Sequence, residues 1–244
     1  MSVHVQWIGN AFFTIRTGDK LIFTDPWVTN NPGAALTVEE AAGMAPTHVW
    51  VSHGHPGHYG RGDSVQIANL SRSTYYSTKE VIRYVQDRDL LHTRYLGFEP
   101  GSRLLADGVD VEVFSVAHPP EPPVAPEWRD LPGAPNTISV FQTGGRTLLH
   151  VGDTMPDPAY DDIAERYQID LAMLPLWGKG MGSDEATAIA TMTQIIEKIK
   201  PTYVMFHNRW DPERPAWNAF FRAIEGRTLP TVFCDQHPGV SIDL

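Results

Sequence analysis

The chain has 244 residues, 42% of them hydrophobic and 20% charged, and a net charge of -10 with no long cluster of Lys or Arg. This balance argues against nucleic acid and anionic membrane surfaces as partners, and the composition is that of an ordinary globular protein, not a disordered one. No run approaches the roughly 18 to 20 apolar residues of a membrane span. The opening MSVHVQWIGN lacks a basic segment followed by an apolar one, so no signal peptide is expected. Cys234 is the single cysteine, which rules out an intrachain disulfide and a cysteine-held zinc, and a cytoplasmic location is the simplest expectation. One domain spanning residues 1–244 is expected from the length.

In chain order, Val3 to Trp7, Phe12 to Thr17 and Lys20 to Thr24 read as short strands, the last two joined by Gly18 and Asp19. The apolar run His48 to Ser52 leads into the loop Ser52-His53-Gly54-His55-Pro56-Gly57-His58. Thr78 caps a helix over Lys79 to Asp87, and Val109 to Val116 forms a strand that ends near His118. Pro119 to Pro135 holds seven prolines and Trp128, and reads as a stiff surface loop. Thr137 to Gln142 and Arg146 to Val151 flank Gly144-Gly145 as a hairpin, and the second strand delivers Gly152-Asp153. Asp170 to Leu174 is a strand. Ser183 caps a helix in which Ile189, Met192, Ile196 and Ile199 recur at helical spacing, and Pro201 stops it. Thr202 to Phe206 is the strand that delivers His207. Hairpins followed by alternating helices and strands, twice over, predict two packed sheets with helices outside.

Three histidines at positions i, i+2 and i+5 cannot share one helix face, but a loop leaving a strand can wrap them around an ion. Neutral imidazole suits zinc, iron or manganese. His118, Asp153 and His207 share the placement at strand ends, whereas His4, His48, His92, His150 and His237 do not and read as structural or surface residues. Asp25, beside Pro26, is a candidate carboxylate for fixing the tautomer of a ligand histidine, or else a turn-initiating Asp-Pro pair. Trp177, Lys179, Asn208, Arg209 and Trp210 follow strands leading to the site, and with Trp128 they are the candidate contacts for an anionic or aromatic small molecule.

The run Ser52-His53-Gly54-His55-Pro56-Gly57-His58, followed by His118, Gly152-Asp153 and His207, resembles the H-x-H-x-D-H signature of the metallo-β-lactamase superfamily over nearly the whole chain. Trp7 to Phe12, Thr24 to Trp27 and Met181 to Ala186 are further similar to the branch containing ascorbate-6-phosphate lactonase and related metal-dependent hydrolases. The resemblance implies an α/β fold, a four-layer αββα sandwich. It also implies that His53, His55 and His118 hold one metal, that His58 and His207 hold a second, and that Asp153 bridges them, with Asp153 and His207 as the expected catalytic pair. Zinc is the expected ion, as one or two per chain, with manganese or iron as alternatives. Where the signature has an aspartate this chain has Gly57, which removes a charge and an oxygen ligand together. The second site is then either completed by water or substrate or not used, and restoring the aspartate should raise metal content if its loss is what weakens that site.

The implied activity is hydrolysis of a small-molecule lactone, amide or phosphoester bond by metal-activated water. A non-catalytic metal-binding or ligand-binding protein and an iron-dependent redox enzyme are the other two classes to be separated from it. A homo-oligomer is compatible with the sequence.

Overall fold

The computed structural model describes residues 1–31, 33–118, 131, 135–176, 185–207, 215–235 and 237–244. In chain order the strands are β1 (Val3–Gly9), β2 (Phe12–Thr17), β3 (Lys20–Thr24), β4 (His48–Trp50), β5 (Thr74–Thr78), β6 (Tyr95–Phe98), β7 (Arg103–Ala106), β8 (Val109–Ser115), β9 (Thr137–Thr143), β10 (Arg146–Val151), β11 (Leu171–Pro175), β12 (Tyr203–His207), β13 (Val232–Phe233) and β14 (Ser241–Asp243). The helices are α1 (Val38–Gly43), α2 (Pro56–Tyr59), α3 (Asp63–Ser71), α4 (Lys79–Asp87), α5 (Ala159–Arg166), α6 (Glu185–Ile199) and α7 (Pro215–Ala223).

Among the described residues the strands form two seven-stranded sheets, ordered β14-β1-β2-β3-β4-β5-β6 and β13-β12-β11-β10-β9-β8-β7. Each sheet begins with antiparallel hairpins and continues with parallel strands. In the first, β1, β2 and β3 pair antiparallel and β3, β4, β5 and β6 parallel. In the second, β7 to β10 pair antiparallel and β10 to β13 parallel. Gly144 and Gly145 take φ of +59° and +80° in the β9–β10 hairpin, the left-handed pair that a tight turn of this kind requires.

Strand alternation sorts the core into layers. On β3, Ile22 faces the space between the sheets while Leu21 and Phe23 face α1, α3 and α4. On β10, Leu148 faces inward, and Leu149 and Val151 face α5, α6 and α7. Met192, Ile196 and Ile199 on α6 join that outer layer, as their spacing predicts. The result is the four-layer αββα sandwich. Observed boundaries move by one or two residues: β1 runs on to Gly9, β11 starts at Leu171 and β12 ends on His207 itself. Thr78 caps α4 through its hydroxyl, which accepts from Val81 N at 3.3 Å. The histidine loop contains a helical turn that its sequence does not announce, α2, entered at His55 with Pro56 in its first turn. Among the described residues no helix is long and apolar enough to cross a membrane. Ser183 and most of the proline-rich segment lie outside the described residues.

On the outer face of β8, Glu112 receives hydrogen bonds from Arg166 and Tyr167. Burial alone would raise the Glu112 pKa, but these two donors outweigh it and hold the carboxyl below its usual range. A carboxylate whose pKa is lower folded than unfolded contributes stability that is complete above the unfolded pKa and lost as pH falls through the folded one. Glu112→Gln should therefore lower stability at neutral pH and flatten the acid limb of a melting-temperature profile measured from pH 7 down to pH 3. An acid limb of unchanged steepness would assign it to other carboxylates.

Candidate metal centre

The site forms where the two sheets present their strand ends side by side. His53 follows β4, His118 follows β8, Asp153 follows β10 and His207 closes β12. The approach is close: a Cβ on Gly152 would lie 2.6 Å from Ser52 Oγ, so glycine is needed for β10 to reach the histidine loop. A hydrogen bond from Thr137 Oγ1 to the Ser52 carbonyl at 2.7 Å joins the halves, and within the second sheet Asn136 Nδ2 donates to the Asp153 carbonyl at 2.6 Å.

One ligand atom each from His53, His55, His118 and Asp153 lies within 4.8 Å of the others. Asp153 Oδ2 is 3.1 Å from His118 Nε2 and 3.6 Å from His53 Nε2, and His53 Nε2 is 3.0 Å from His55 Nδ1. Three imidazoles and a carboxylate around one point form a donor set for a divalent ion such as zinc. The other two expected ligands sit differently. His58 places Nε2 3.2 Å from Asp153 Oδ1 and Nδ1 2.8 Å from Asp25 Oδ2. His207 turns Nε2 to the Val151 carbonyl at 2.7 Å, which makes that nitrogen the donor and leaves a buried lone pair on Nδ1.

Asp25 organises the histidines from behind. It is fully buried, at a left-handed φ of +43°, and accepts from Ser52 N at 2.7 Å, Ser52 Oγ at 2.8 Å and His58 Nδ1 at 2.8 Å. Because Ser52 Oγ donates to Asp25, it accepts from His53 Nδ1 at 3.0 Å, and His53 Nε2 is left as a lone pair aimed at the cluster. One carboxylate thus sets the tautomer of His53 through Ser52 and anchors the ring of His58 directly.

Charge follows from this packing. Burial would raise the Asp25 pKa, but His58 holds it down at about 2. Burial likewise works against ionised Asp153, yet His58, His118 and His53 keep its carboxyl well below the usual range. Desolvation lowers His53 and His207, each to about 3, so both are neutral and suited to ligation. For His58, burial opposes the charge, and Asp153 and Asp25 overcome it and push the group up to about 10.

The sequence does not single out Ser52 or Asn136, although Ser52 adjoins His53. His150, read as structural, is fully buried, its Nε2 3.7 Å from Asp25 Oδ2 and its ring stacked on His207 at 6.1 Å. The expected substrate contacts Trp128, Trp177, Lys179, Asn208, Arg209 and Trp210 lie outside the described residues.

Two mixed sheets between helical layers, with a histidine and aspartate cluster at their adjoining strand ends, define a protein of the αββα metal-binding class. More specifically, the chain belongs to the metallo-β-lactamase superfamily, since the family described as Beta-lactamase superfamily domain matches residues 4–206. It is similar to a UPF0173 metal-dependent hydrolase of Pyrobaculum arsenaticum, 30% identical over 218 residues that cover 86% of this chain and 89% of that protein. Among solved structures it is similar to Igni18, a metallo hydrolase of Ignicoccus hospitalis, with a TM-score of 0.77 at 20% identity, covering 100% of this chain and 99% of that one. CmlA, a diiron beta-hydroxylase from Streptomyces venezuelae, shares the fold with a TM-score of 0.70 at 15% identity, covering 99% of this chain and 54% of that one.

Proposed function

We propose that this chain is a metal-dependent hydrolase that uses one divalent ion, zinc in the first instance, to cleave a lactone, amide or phosphoester bond in a small molecule. The convergence of His53, His55, His118 and Asp153 carries this reading, and the names of relatives such as the Pyrobaculum arsenaticum hydrolase support it. The ion would lower the pKa of a bound water and polarise the substrate oxygen. Around it, His53, His55 and His118 hold position. Asp153 keeps one carboxylate oxygen toward His118 and the other, Oδ1, 3.2 Å from His58 Nε2, which fixes the orientation of its carboxylate in the site. His207 contributes a neutral ring.

A single ion is favoured because Gly57 stands where the signature's aspartate would supply an oxygen ligand and His58 has both ring nitrogens against carboxylates, while four other donors already converge. Resemblance to the ascorbate-6-phosphate lactonase branch inclines the substrate toward a lactone or a phosphate-bearing molecule. Trp128, Trp177, Lys179, Asn208, Arg209 and Trp210 are the proposed contacts for its anionic or aromatic part, and the cytoplasm is the proposed location.

The test is turnover of lactone, amide and phosphodiester probes by zinc-loaded and chelator-treated protein. Turnover of at least one bond class that is lost with the metal and restored by zinc is expected. Zinc-loaded protein that is silent on every class would replace this reading with a non-catalytic binding protein. Iron content with oxygen consumption would replace it with redox chemistry.

A further inference from the structure

The turn between β1 and β2 reaches the metal loop through one side chain, Asn10. This residue is 8% exposed and has a left-handed φ of +50°, a conformation that asparagine tolerates better than most residues. The turn is pinned on both sides. Trp7 Nε1 donates to the Asn10 carbonyl at 2.6 Å, and Gly9, at φ +155°, lies so close to the chain at Gly33 that a Cβ there would be 2.8 Å from the Gly33 carbonyl carbon.

From this fixed base Asn10 Nδ2 donates to the Gly57 carbonyl at 2.6 Å, across 47 residues of sequence. Gly57 lies between His55 and His58 in α2, a helix of only four residues. So short a helix has little stability of its own, and the Asn10 amide ties it to the first sheet. The same nitrogen would lie 3.3 Å from a Cβ built on Gly57. The space beside Gly57 is therefore partly filled by this amide.

We propose that Asn10 is a positioning residue of the metal centre: it holds the His55–His58 turn in register and, by occupying the space beside Gly57, keeps the centre to one ion. The inference rests on the one-ion reading above, and it changes what restoring an aspartate at position 57 should do. The new carboxylate would meet the Asn10 amide first, which would hold it by hydrogen bonding away from any ion.

The experiment measures zinc affinity by chelator competition, ions per chain by elemental analysis, and the visible spectrum of the cobalt-substituted protein. It compares the unaltered chain with Asn10→Asp, Asn10→Gly, Gly57→Asp and the double change Asn10→Gly with Gly57→Asp. Asn10→Asp keeps the shape but sets a carboxylate against the Gly57 carbonyl, and Asn10→Gly keeps the backbone conformation and clears the space. Each should weaken zinc binding about 10-fold and alter the cobalt spectrum, in the range typical of residues that orient metal ligands. Gly57→Asp alone should remain near one ion per chain, and the double variant should move toward two. If Asn10→Asp fails to fold, Asn10→Gly carries the affinity and spectral test unaided. Unchanged affinity and spectrum in the folded Asn10 variants, or two ions in Gly57→Asp alone, would overturn the proposal. Two ions in the unaltered chain would instead overturn the one-ion reading beneath it.

Discussion

His55→Ala should leave a folded protein that retains no zinc after dialysis and turns over no substrate. His55 is only partly buried and belongs to no hydrophobic cluster, so the three apolar layers that build the sandwich do not depend on it. The metal does depend on it, because its ring supplies one of four converging donors and sits 4.7 Å from His53 and 4.5 Å from His118, centroid to centroid. A tetrahedral site reduced to two histidines and one carboxylate loses both affinity and the geometry that directs the water. Thermal melting separates the two effects: the metal-free variant should melt where metal-free unaltered protein melts. Zinc retained at full stoichiometry would show that His55 lies outside the coordination set.

Asp25→Ala should be costly in a different way, lowering stability and metal affinity together. It removes the acceptor for Ser52 and His58 and leaves the buried His58 imidazole with Asp153 but without its Nδ1 partner, a loss of about 3 to 5 kcal/mol for buried pairs of this kind. Alanine also tolerates the φ of +43° poorly. Zinc affinity should fall by roughly 10- to 100-fold, because His53 loses its anchor through Ser52 and His58 loses its direct one. Asp25→Asn removes the charge but keeps the backbone conformation, so it should recover much of the stability and less of the affinity. Equal zinc affinity in the unaltered chain and both variants would reduce Asp25 to a turn residue.

Much of the sandwich is legible in the sequence because strand alternation there is a direct record of two-sided burial. Leu21, Ile22 and Phe23 divide between an outer and an inner layer, and Ile189, Met192, Ile196 and Ile199 mark the buried side of α6. What is not legible depends on distant partners. β14 closes the first sheet by pairing Ser241–Asp243 with β1, nearly the full length of the chain away, and no local pattern announces so short a strand. The turn α2 is hidden because Pro56-Gly57 reads as loop, although proline is well suited to the first turn of a helix.

The site divides along the same line. His53, His55, His118 and Asp153 are recognisable because spacing and strand-end position both mark them, and their donor atoms do converge. The hydrogen bonds that orient them are not recognisable in this way. Asp25 is visible as a candidate only through its proline neighbour, whereas its bonds to Ser52 and His58 span 27 and 33 residues. Asn10 is visible only as one residue of the Trp7 to Phe12 resemblance, and its role exists only once the β1–β2 turn is folded against Gly57. The differing surroundings of His58 and His207 are equally invisible to spacing, because they depend on which buried carboxylate or carbonyl each ring meets.

The most direct measurement is an anomalous-scattering map from crystals of the zinc-loaded protein. A single strong peak is expected about 2.0 to 2.2 Å from one nitrogen each of His53, His55 and His118 and from an Asp153 oxygen. A peak bound by a different set of side chains, or two peaks of equal height bridged by Asp153, would contradict the one-ion centre.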